Sequence, residues 1–279
     1  MQVLRSQLDA SVNFVEAQLV GFLESRYVRR EPRYFVAYLS SQTGCNRGCQ
    51  MCHLTVTGQT QFKNADQSDF IQQYDTILRH YSQDTPCNLV HINWMARGEP
   101  LANPTLTETS TELLLALAQQ SRELDLIPKF NVSTIMPVTM RKTLVQMFPV
   151  ITPTIYYSMY SVDPEFRQKW LPASLNVDHA LDLLQEYQYV SKKIIKIHGA
   201  FIAGENDALS QVKDMMYAIQ KRNIQTEFNI VRYNPYSEAQ GVESGRLDEI
   251  QALIQTHMPC KMITRVGPDV AASCGTFIQ

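Results

Sequence analysis

YFVAYLSSQTGCNRGCQMCH, residues 34–53, joins an apolar run to three closely spaced cysteines. The apolar part, Tyr34–Leu39, predicts a buried β-strand. Cys45, Cys49 and Cys52 follow it with the spacing C-x₃-C-x₂-C. Thiolates are the usual ligands of a [4Fe–4S] cluster, and full ligation needs four of them, so three leave one iron open to a small molecule.

A zinc site is the main alternative for these cysteines. Structural zinc takes four ligands at short spacings, and His53 directly follows the motif. A disulfide framework is disfavoured, because six cysteines in 279 residues are too few for a disulfide-dense small scaffold. The spacing favours the iron–sulfur cluster, and the zinc site remains an alternative at this point.

The composition is ordinary for a globular protein, with 44% hydrophobic and 19% charged residues. No apolar run approaches the roughly 18 residues of a membrane span, and the N-terminus lacks the pattern of a secretory signal. We therefore expect a cytoplasmic protein with reduced thiols. The net charge of −2 argues against a broad electrostatic grip on nucleic acid. Four arginines within residues 26–33 form a local basic cluster, which would either contact a phosphate or lie on a solvated strand edge.

Strand-like and helix-like segments alternate after the cysteines, which predicts an α/β fold with a parallel sheet and helices outside it. Six such strands are too few for a full eight-stranded barrel, so we expect a partial (β/α)6 barrel of the TIM type. Recurring apolar residues over 6–24 predict a short N-terminal helix. We accordingly divide the chain into a helix with a basic linker, residues 1–33, and a barrel core with a cysteine-bearing tail, residues 34–279. The predicted strands are Tyr34–Leu39, Asn88–Trp94, Pro128–Ser133, Pro153–Ser158, Ile194–Ile202 and Thr226–Tyr233. The predicted helices cover 66–81, 105–122, 138–147, 176–190, 208–222 and 245–257.

Reactive groups in parallel barrels gather at the C-terminal ends of the strands. The cysteine loop follows the first predicted strand, and four further unusual segments follow later strands, so all five are predicted to meet at one mouth. These segments are Met95–Asn103, Ser133–Pro137, Ser158–Tyr160 and Asn234–Tyr236.

Two residues of the first of these segments suit a ligand. Gly98 allows the backbone to approach a ligand closely, and the carboxylate of Glu99 suits a ligand ammonium. A turn with a solvated glutamate is the alternative for this pair. Ser133, Ser158 and Asn234 could each hydrogen-bond a ribose or a carboxylate, but each alone is more typical of a helix cap or a turn.

Several segments, in order and with similar spacing, resemble the radical S-adenosylmethionine (SAM) adenine C2/C8 RNA methyltransferases. That family includes the C2-methyltransferase of 23S rRNA and tRNA and the C8-methyltransferase of antibiotic resistance. The resemblance begins near Leu23 and includes the cysteine segment and GPDVAASCG, residues 267–275, which resembles the family's GxDIxAACG. The other matches are Arg97–Asn103 with GMGEPL, Val132–Thr134 with STSG, Ser158–Tyr160 with SLH, and Tyr233–Pro235 with an Asn-Pro after the sixth strand.

The resemblance implies a radical SAM enzyme, a methyltransferase with one [4Fe–4S] cluster and SAM as cofactors. Cys274 matches the cysteine that receives a methyl group from one SAM. In the family a second SAM yields a radical that takes a hydrogen from this methyl, and the resulting carbon radical adds to adenine. Glu24 matches, with a one-residue gap, the glutamate that contacts the adenine base. The implied cluster ligands are Cys45, Cys49 and Cys52, and the implied SAM-binding residues are Gly98, Glu99, Ser133, Ser158, Met159, Tyr160 and Asn234.

The chain also departs from the family. Tyr38 stands where the family has the cysteine that resolves the enzyme–RNA adduct, Tyr160 replaces a histidine, and Ile135-Met136 replaces a Ser-Gly pair. We expect the family's N-terminal RNA-binding domain to have no counterpart in this chain. Cys87 and Cys260 are predicted to be structural, although Cys260 could approach Cys274.

The expected partners are RNA, with tRNA favoured over rRNA, or a nucleotide-like small molecule. We also expect an electron donor of the flavodoxin or ferredoxin type, no membrane association and a monomeric chain. A radical SAM enzyme acting on a nucleotide, peptide or small metabolite is the alternative. A non-catalytic metal-binding protein is a third hypothesis, and the SAM-site motifs together with Cys274 argue against it.

Overall fold

A computed structural model describes all residues, 1–279. Its centre is one ten-stranded sheet whose strands lie side by side in chain order. The strands are β1 Gln2–Arg5, β2 Ser11–Ala17, β3 Phe22–Glu31, β4 Tyr34–Tyr38, β5 Leu89–Trp94, β6 Ile127–Thr134, β7 Thr154–Ser158, β8 Ile195–Gly199, β9 Thr226–Val231 and β10 Cys260–Ile263. The α-helices are α1 His53–Val56, α2 Gln67–Tyr81, α3 Pro104–Thr107, α4 Ser110–Arg122, α5 Leu144–Met147, α6 Pro164–Trp170, α7 Val177–Ser191, α8 Leu209–Gln220 and α9 Leu247–Gln255.

The predicted partial barrel is confirmed. Strands β4 to β9 correspond to the six predicted strands and pair in parallel, with helices between them along the chain. Strand β10 extends this parallel part and was not predicted, since its four residues, CKMI, are too short to show a period. None of the helices is long and apolar enough to cross a membrane.

The predicted N-terminal helix is wrong. Strands β1, β2, β3 and β4 form an antiparallel meander instead, and the sheet continues across the predicted boundary at residues 33 and 34. The helical period had counted Leu8 and Leu19 as core residues, but both are exposed and lie in the turns that flank β2. Val12 and Phe14 are buried one strand period apart, and Gly21, with φ +69°, forms the turn into β3.

Alternation along the strands separates an apolar layer from a polar lumen. Phe35 of β4 and Ile197 of β8 are fully buried in the main core cluster, which packs against the surrounding helices. Tyr38, three residues after Phe35, and His198, one residue after Ile197, face the opposite side and line a cavity at the mouth of the barrel. This two-residue period directs polar side chains inward while the helices cover the outer face.

Candidate functional site

Backbone contacts attach the cysteine loop to the ends of β4 and β5. Ser41 N–H donates to the carbonyl of Arg97 at 2.7 Å, and Cys45 N–H donates to the carbonyl of Gln59 at 3.0 Å. Gly44 is required where the loop crosses itself, since a Cβ there would lie 2.3 Å from the Gln61 carbonyl oxygen. The loop is therefore positioned by its backbone, and its cysteines are free to bind a ligand.

The structure brings the three motif cysteines to one cavity of about 150 Å³. Burial raises the pKa of Cys45 to about 12 and that of Cys52 to about 11; the Cys52 thiol contributes to the shift at Cys45, and the Cys274 thiol contributes to the shift at Cys52. Burial also raises the pKa of Cys49, and Cys52 and Cys45 add to that shift. Three mutually interacting thiols in an apolar setting fit a metal cluster that neutralises them as thiolates.

The geometry gives no support to the zinc alternative. No group of three His, Cys, Asp or Glu side chains is arranged to hold a single metal ion. The Nε2 atom of His53 lies 3.1 Å from the carbonyl oxygen of Asn234, so the proposed fourth ligand is engaged elsewhere. A cluster, by contrast, offers a separate iron to each thiolate.

Glu99 is a buried carboxylate on the wall of the same cavity, as predicted for a group that meets a ligand ammonium. It accepts hydrogen bonds from Thr134 Oγ1 at 2.6 Å, Leu101 N–H at 3.0 Å and Ile135 N–H at 3.1 Å. It has no salt-bridge partner, and burial raises its pKa. A ligand cation would supply the missing countercharge.

Gly98 holds this wall close to the cysteine loop. Its φ is +91°, and a Cβ at this position would lie 2.6 Å from both Gln42 Cβ and Ser41 Oγ. Any side chain would force the loop and the end of β5 apart, so glycine is required here for close approach.

The remaining predicted SAM residues divide into two groups. Ser133 and Ser158 line the cysteine cavity, and Ser133 also lines the neighbouring one with Asn234. Met159 and Tyr160 line neither cavity; the structure keeps Met159 away from the site and places Tyr160 directly beside its thiols. Met159 faces the helices because it follows Ser158 by one residue, and it is fully buried in the core. Tyr160 packs behind the cavity in a smaller apolar cluster next to Cys49. Burial is the main cause of its raised pKa, and the thiol of Cys274 adds to the shift.

Cys274 lies on a second cavity, of about 120 Å³, that adjoins the first. Met95 and Ser133 line both cavities. Cys274 is solvent-accessible, and burial in this concave setting raises its pKa. Its thiol is close enough to Cys52 to affect the pKa of that group, so the motif cysteines and the tail cysteine share one site.

The C-terminal tail that carries Cys274 crosses the mouth of the barrel. Asn234 Nδ2 donates to the Cys274 carbonyl at 3.0 Å, and His53 N–H donates to the Gly275 carbonyl at 3.0 Å. At the start of the tail, Asp269 accepts from Ser6 Oγ and Gln7 N–H, both at 2.7 Å. The tail thereby connects the first hairpin to the cysteine loop.

Glu24 is not brought to either cavity, contrary to its predicted contact with a substrate base. Its side chain is fully buried, and Arg97, Arg26 and Asn13 all donate to its carboxylate. A fourth donor, the N–H of Ile278 in the tail, lies 3.0 Å from Oε1. The carboxylate is thus occupied by protein groups.

Two residues that position the cysteine loop, Arg97 and Asn103, were not predicted from the sequence. Asn103 Nδ2 donates to the carbonyls of Ser41 at 2.6 Å and Ala65 at 2.8 Å, which fixes both ends of the cysteine loop. Both residues lie in the segment singled out for Gly98 and Glu99, but their partners are distant in sequence. A larger cavity, about 470 Å³, lies among α6, α7 and α8 and contains none of the predicted residues.

Cys260 and Cys87 lie apart from the site, as expected of structural cysteines. Cys260 begins β10, at the opposite end of that strand from the mouth, and packs against the main core. It lines neither cavity, so the alternative that it approaches Cys274 is not supported, and its predicted structural role agrees with this position. Cys87 precedes β5 and its N–H donates to Tyr81 Oη at 2.9 Å.

A partial barrel with a three-cysteine loop at its mouth is the arrangement that the motif resemblance implies. No protein-family model matches the chain. The chain is 27% identical over 259 residues to dual-specificity RNA methyltransferase RlmN of Nitratiruptor sp., which covers 90% of this chain and 69% of the relative. It is 24% identical over 256 residues to ribosomal RNA large subunit methyltransferase Cfr of Staphylococcus aureus, which covers 85% of this chain and 67% of the relative. The chain therefore spans about two thirds of the length of these relatives.

Solved structures agree on the fold. A radical SAM methyltransferase from Sphaerobacter thermophilus superposes with a TM-score of 0.80 at 15% identity, over 99% of this chain and 80% of that chain. HydG, a maturase of the [FeFe]-hydrogenase, superposes with a TM-score of 0.61 at 15% identity, over 84% and 53% of the two chains. The chain is thus a homologue of the radical SAM RNA methyltransferases RlmN and Cfr, which confirms the resemblance and the enzyme class predicted from its motifs. The cluster and SAM, the cofactors expected from that resemblance, are those of this class.

Proposed function

We propose that this enzyme transfers a methyl or methylene group to an adenine carbon of RNA through Cys274. One observation carries the proposal: Cys274 lies where the cysteine cavity adjoins a second, arginine-lined cavity. A carrier thiol needs access to both a methyl donor and an acceptor. This position gives Cys274 both.

The residues of the first cavity would hold the cofactors. Cys45, Cys49 and Cys52 would ligate the cluster, and bound SAM supplies the methyl group and the radical chemistry of the class. Glu99 would bind the SAM ammonium, since it is a buried carboxylate with no cationic partner. Ser133 and Ser158 offer hydroxyl groups on the same wall.

The second cavity has the charge expected of a site for a phosphate-bearing substrate. Four arginines line it, together with the neutral His198, whose pKa burial lowers to about 3. Two carboxylates, Glu24 and Glu243, pair with three of these arginines and leave the cavity positive. Arginine forks match phosphate oxygens well. The arginines are Arg26, Arg30, Arg232 and Arg265.

The second cavity, of about 120 Å³, is large enough for a single base of the substrate. The target adenine would therefore have to leave its stack with neighbouring bases in order to enter. We propose RNA as the substrate class, with tRNA as the preferred RNA. A flavodoxin- or ferredoxin-type electron donor, a cytoplasmic location and a monomeric chain complete the proposal.

Two measurements test it. Anaerobically reconstituted protein should contain iron and sulfide and should cleave SAM to 5′-deoxyadenosine. Mass spectrometry of RNA from cells with active enzyme, compared with cells making Cys274→Ala, should reveal a methylated adenine that only the active enzyme produces. Iron-containing, SAM-cleaving protein with unchanged tRNA and rRNA would reject RNA as the substrate and keep the enzyme class.

Tyr38 favours a second candidate function. It lies on the wall of the Cys274 cavity, at the position where the family has its resolving cysteine. A radical SAM reaction of different chemistry on a free nucleotide, peptide or small metabolite, in which no carbon radical on Cys274 adds to a base, would need no covalent adduct and no resolving thiol. Cleavage of SAM that adenosine monophosphate or another small molecule stimulates more than any RNA does, with no methyl transfer to RNA, would support this candidate.

A further inference from the structure

We propose that Arg97 and Glu24 are positioning residues that latch the C-terminal tail, and thereby hold Cys274 at the boundary between the two cavities. The role of Cys274 rests on the proposed function. The latch itself rests only on contacts within the chain, so the two can be tested separately.

Arg97 is the centre of this latch. Its side chain is fully buried, and its Nε donates to Glu24 Oε1 at 2.6 Å. Its Nη2 donates to the carbonyl of Ile278, and its Nη1 donates to the carbonyl of Thr43 at 3.0 Å. One guanidinium therefore joins β3, the cysteine loop and the tail.

Glu24 binds the other side of the same tail residue. Its Oε1 accepts the Ile278 N–H at 3.0 Å, so the N–H and the carbonyl of Ile278 are both bound by this ion pair. Arg26 donates to Glu24 Oε2 at 3.0 Å and to the Thr276 carbonyl at 2.9 Å. The ring of Phe277 lies beneath both guanidinium groups, with its centroid 5.1 Å from Arg26 Cζ and 5.6 Å from Arg97 Cζ.

The latch is continuous with the cofactor site. Arg97 directly precedes Gly98 and Glu99, and its own carbonyl accepts the Ser41 N–H at 2.7 Å. Gly275 and Phe277 line the cysteine cavity, whereas Cys274 lines the second one. The tail is thus the partition between the cavities, and the ion pair fixes the end of that partition.

The residue types fit a latch better than a substrate contact. Arg97 stands where the resembled GMGEPL segment has methionine, so the charge at this position is a feature of this chain. Glu24, the expected base contact, has four protein donors on two oxygens. A carboxylate engaged in this way has no free site for a base edge.

Hydrogen–deuterium exchange of the full chain tests the latch directly. Ile278→Pro removes the N–H that Glu24 accepts and leaves every buried charge in place. We expect backbone amides of residues 272–279 to exchange at least about tenfold faster in this variant, because the tail opens more often. Ile278→Val keeps the N–H and should exchange like the wild type.

A charge variant supplies an independent check. Arg97→Lys keeps the charge but replaces the planar guanidinium with a single ammonium group. One ammonium cannot reach Thr43, Glu24 and Ile278 at the same time. It should show the same local increase in exchange, with iron content equal to that of the wild type. Unchanged exchange of residues 272–279 in both Ile278→Pro and Arg97→Lys would overturn the latch.

The consequence for Cys274 is measured on the reconstituted enzyme. If the proposed carrier role holds, Ile278→Pro should lower methylation of Cys274 by about tenfold or more while the cluster stays assembled. Faster tail exchange with no methyl on Cys274 even in the wild type would keep the latch and reject the carrier. Faster exchange with full methylation would overturn the positioning role.

Discussion

Each motif cysteine lies on one cavity, whose lining contains no other thiol. Changing Cys45, Cys49 or Cys52 to Ala should therefore abolish SAM cleavage and lower the iron content of the reconstituted protein. Cys87→Ala is the matched control, since that thiol lies outside both cavities and should leave iron content and cleavage at wild-type levels. Equal iron in a motif variant and in this control would contradict the cluster assignment.

Glu99 gives a second prediction for a single residue. Glu99→Gln keeps the shape of the side chain but removes the charge, so SAM should lose a charge-assisted hydrogen bond. Such bonds contribute about 1.5–3 kcal/mol, or roughly ten- to 150-fold in affinity. Calorimetric titration of SAM into cluster-loaded protein measures this, with the exposed Glu123→Gln as control. Wild-type affinity in Glu99→Gln would remove Glu99 from the SAM site.

The pH dependence of the same titration follows from the burial of Glu99. Burial raises the pKa of this carboxyl, so it becomes protonated at a higher pH than an ordinary glutamate. SAM binding to the ionised form should weaken as the pH falls through this raised pKa, and strengthen above it. The decline should be absent in Glu99→Gln. An identical pH profile in both proteins would show that another group governs binding.

Single residues also show how far the sequence alone could go. Cys45, Cys49 and Cys52 are a local pattern, so their spacing was sufficient to predict a shared site. Glu24 was assigned by alignment, and its true partners, Arg97 and Ile278, lie 73 and 254 positions away. Contacts at that separation leave no periodic or spacing signal.

At the scale of elements, the parallel strands were predictable and the antiparallel ones were not. Parallel strands such as β5, LVHINW, and β9, TEFNIV, alternate apolar and polar residues between polar loops, and each was found within a few residues. Over β2 and β3 the apolar residues fit both the two-residue period of a strand and the 3.6-residue period of a helix, so the pattern could not distinguish the two. The predicted helix over 105–122 is interrupted at Thr109, which separates α3 from α4.

Asn103 provides a prediction at this scale, because its side chain connects the start of α3 to both ends of the cysteine loop. Asn103→Ala would leave the buried carbonyls of Ser41 and Ala65 without their donor and would remove the cap of α3. We expect a loss of at least about 2 kcal/mol in unfolding free energy, measured by urea denaturation. Gln220→Ala, on an exposed helix position, should change it by less than about 0.5 kcal/mol. A loss of that small size in Asn103→Ala would show that the loop is held by its other contacts.

For the whole molecule, the proposed function assigns SAM cleavage to the cysteine cavity and group transfer to the cavity that Cys274 lines. Cys274→Ala leaves the three motif cysteines and Glu99 intact, so this variant should still cleave SAM. It should transfer no methyl group to RNA, since the thiol on the second cavity is gone. Mass spectrometry of the wild-type protein made with abundant SAM should locate a methyl group on Cys274. Methylated RNA produced by Cys274→Ala would require a different carrier.

Release of the product is the last step that the whole architecture constrains. A carbon radical on Cys274 that added to a base would join enzyme and substrate covalently, and a nucleophile beside it would have to break that bond. Tyr38 offers only a phenol hydroxyl there, and Cys260 lines neither cavity. An adduct formed in this way would therefore persist, so we expect the chemistry to proceed without one, and denaturing mass spectrometry after turnover should find no adduct in the wild type. A stable wild-type adduct would show that addition occurs without resolution. In that case Tyr38→Cys, which places a thiol on the Cys274 cavity, should convert the adduct into released product, with Cys260→Ala behaving like the wild type.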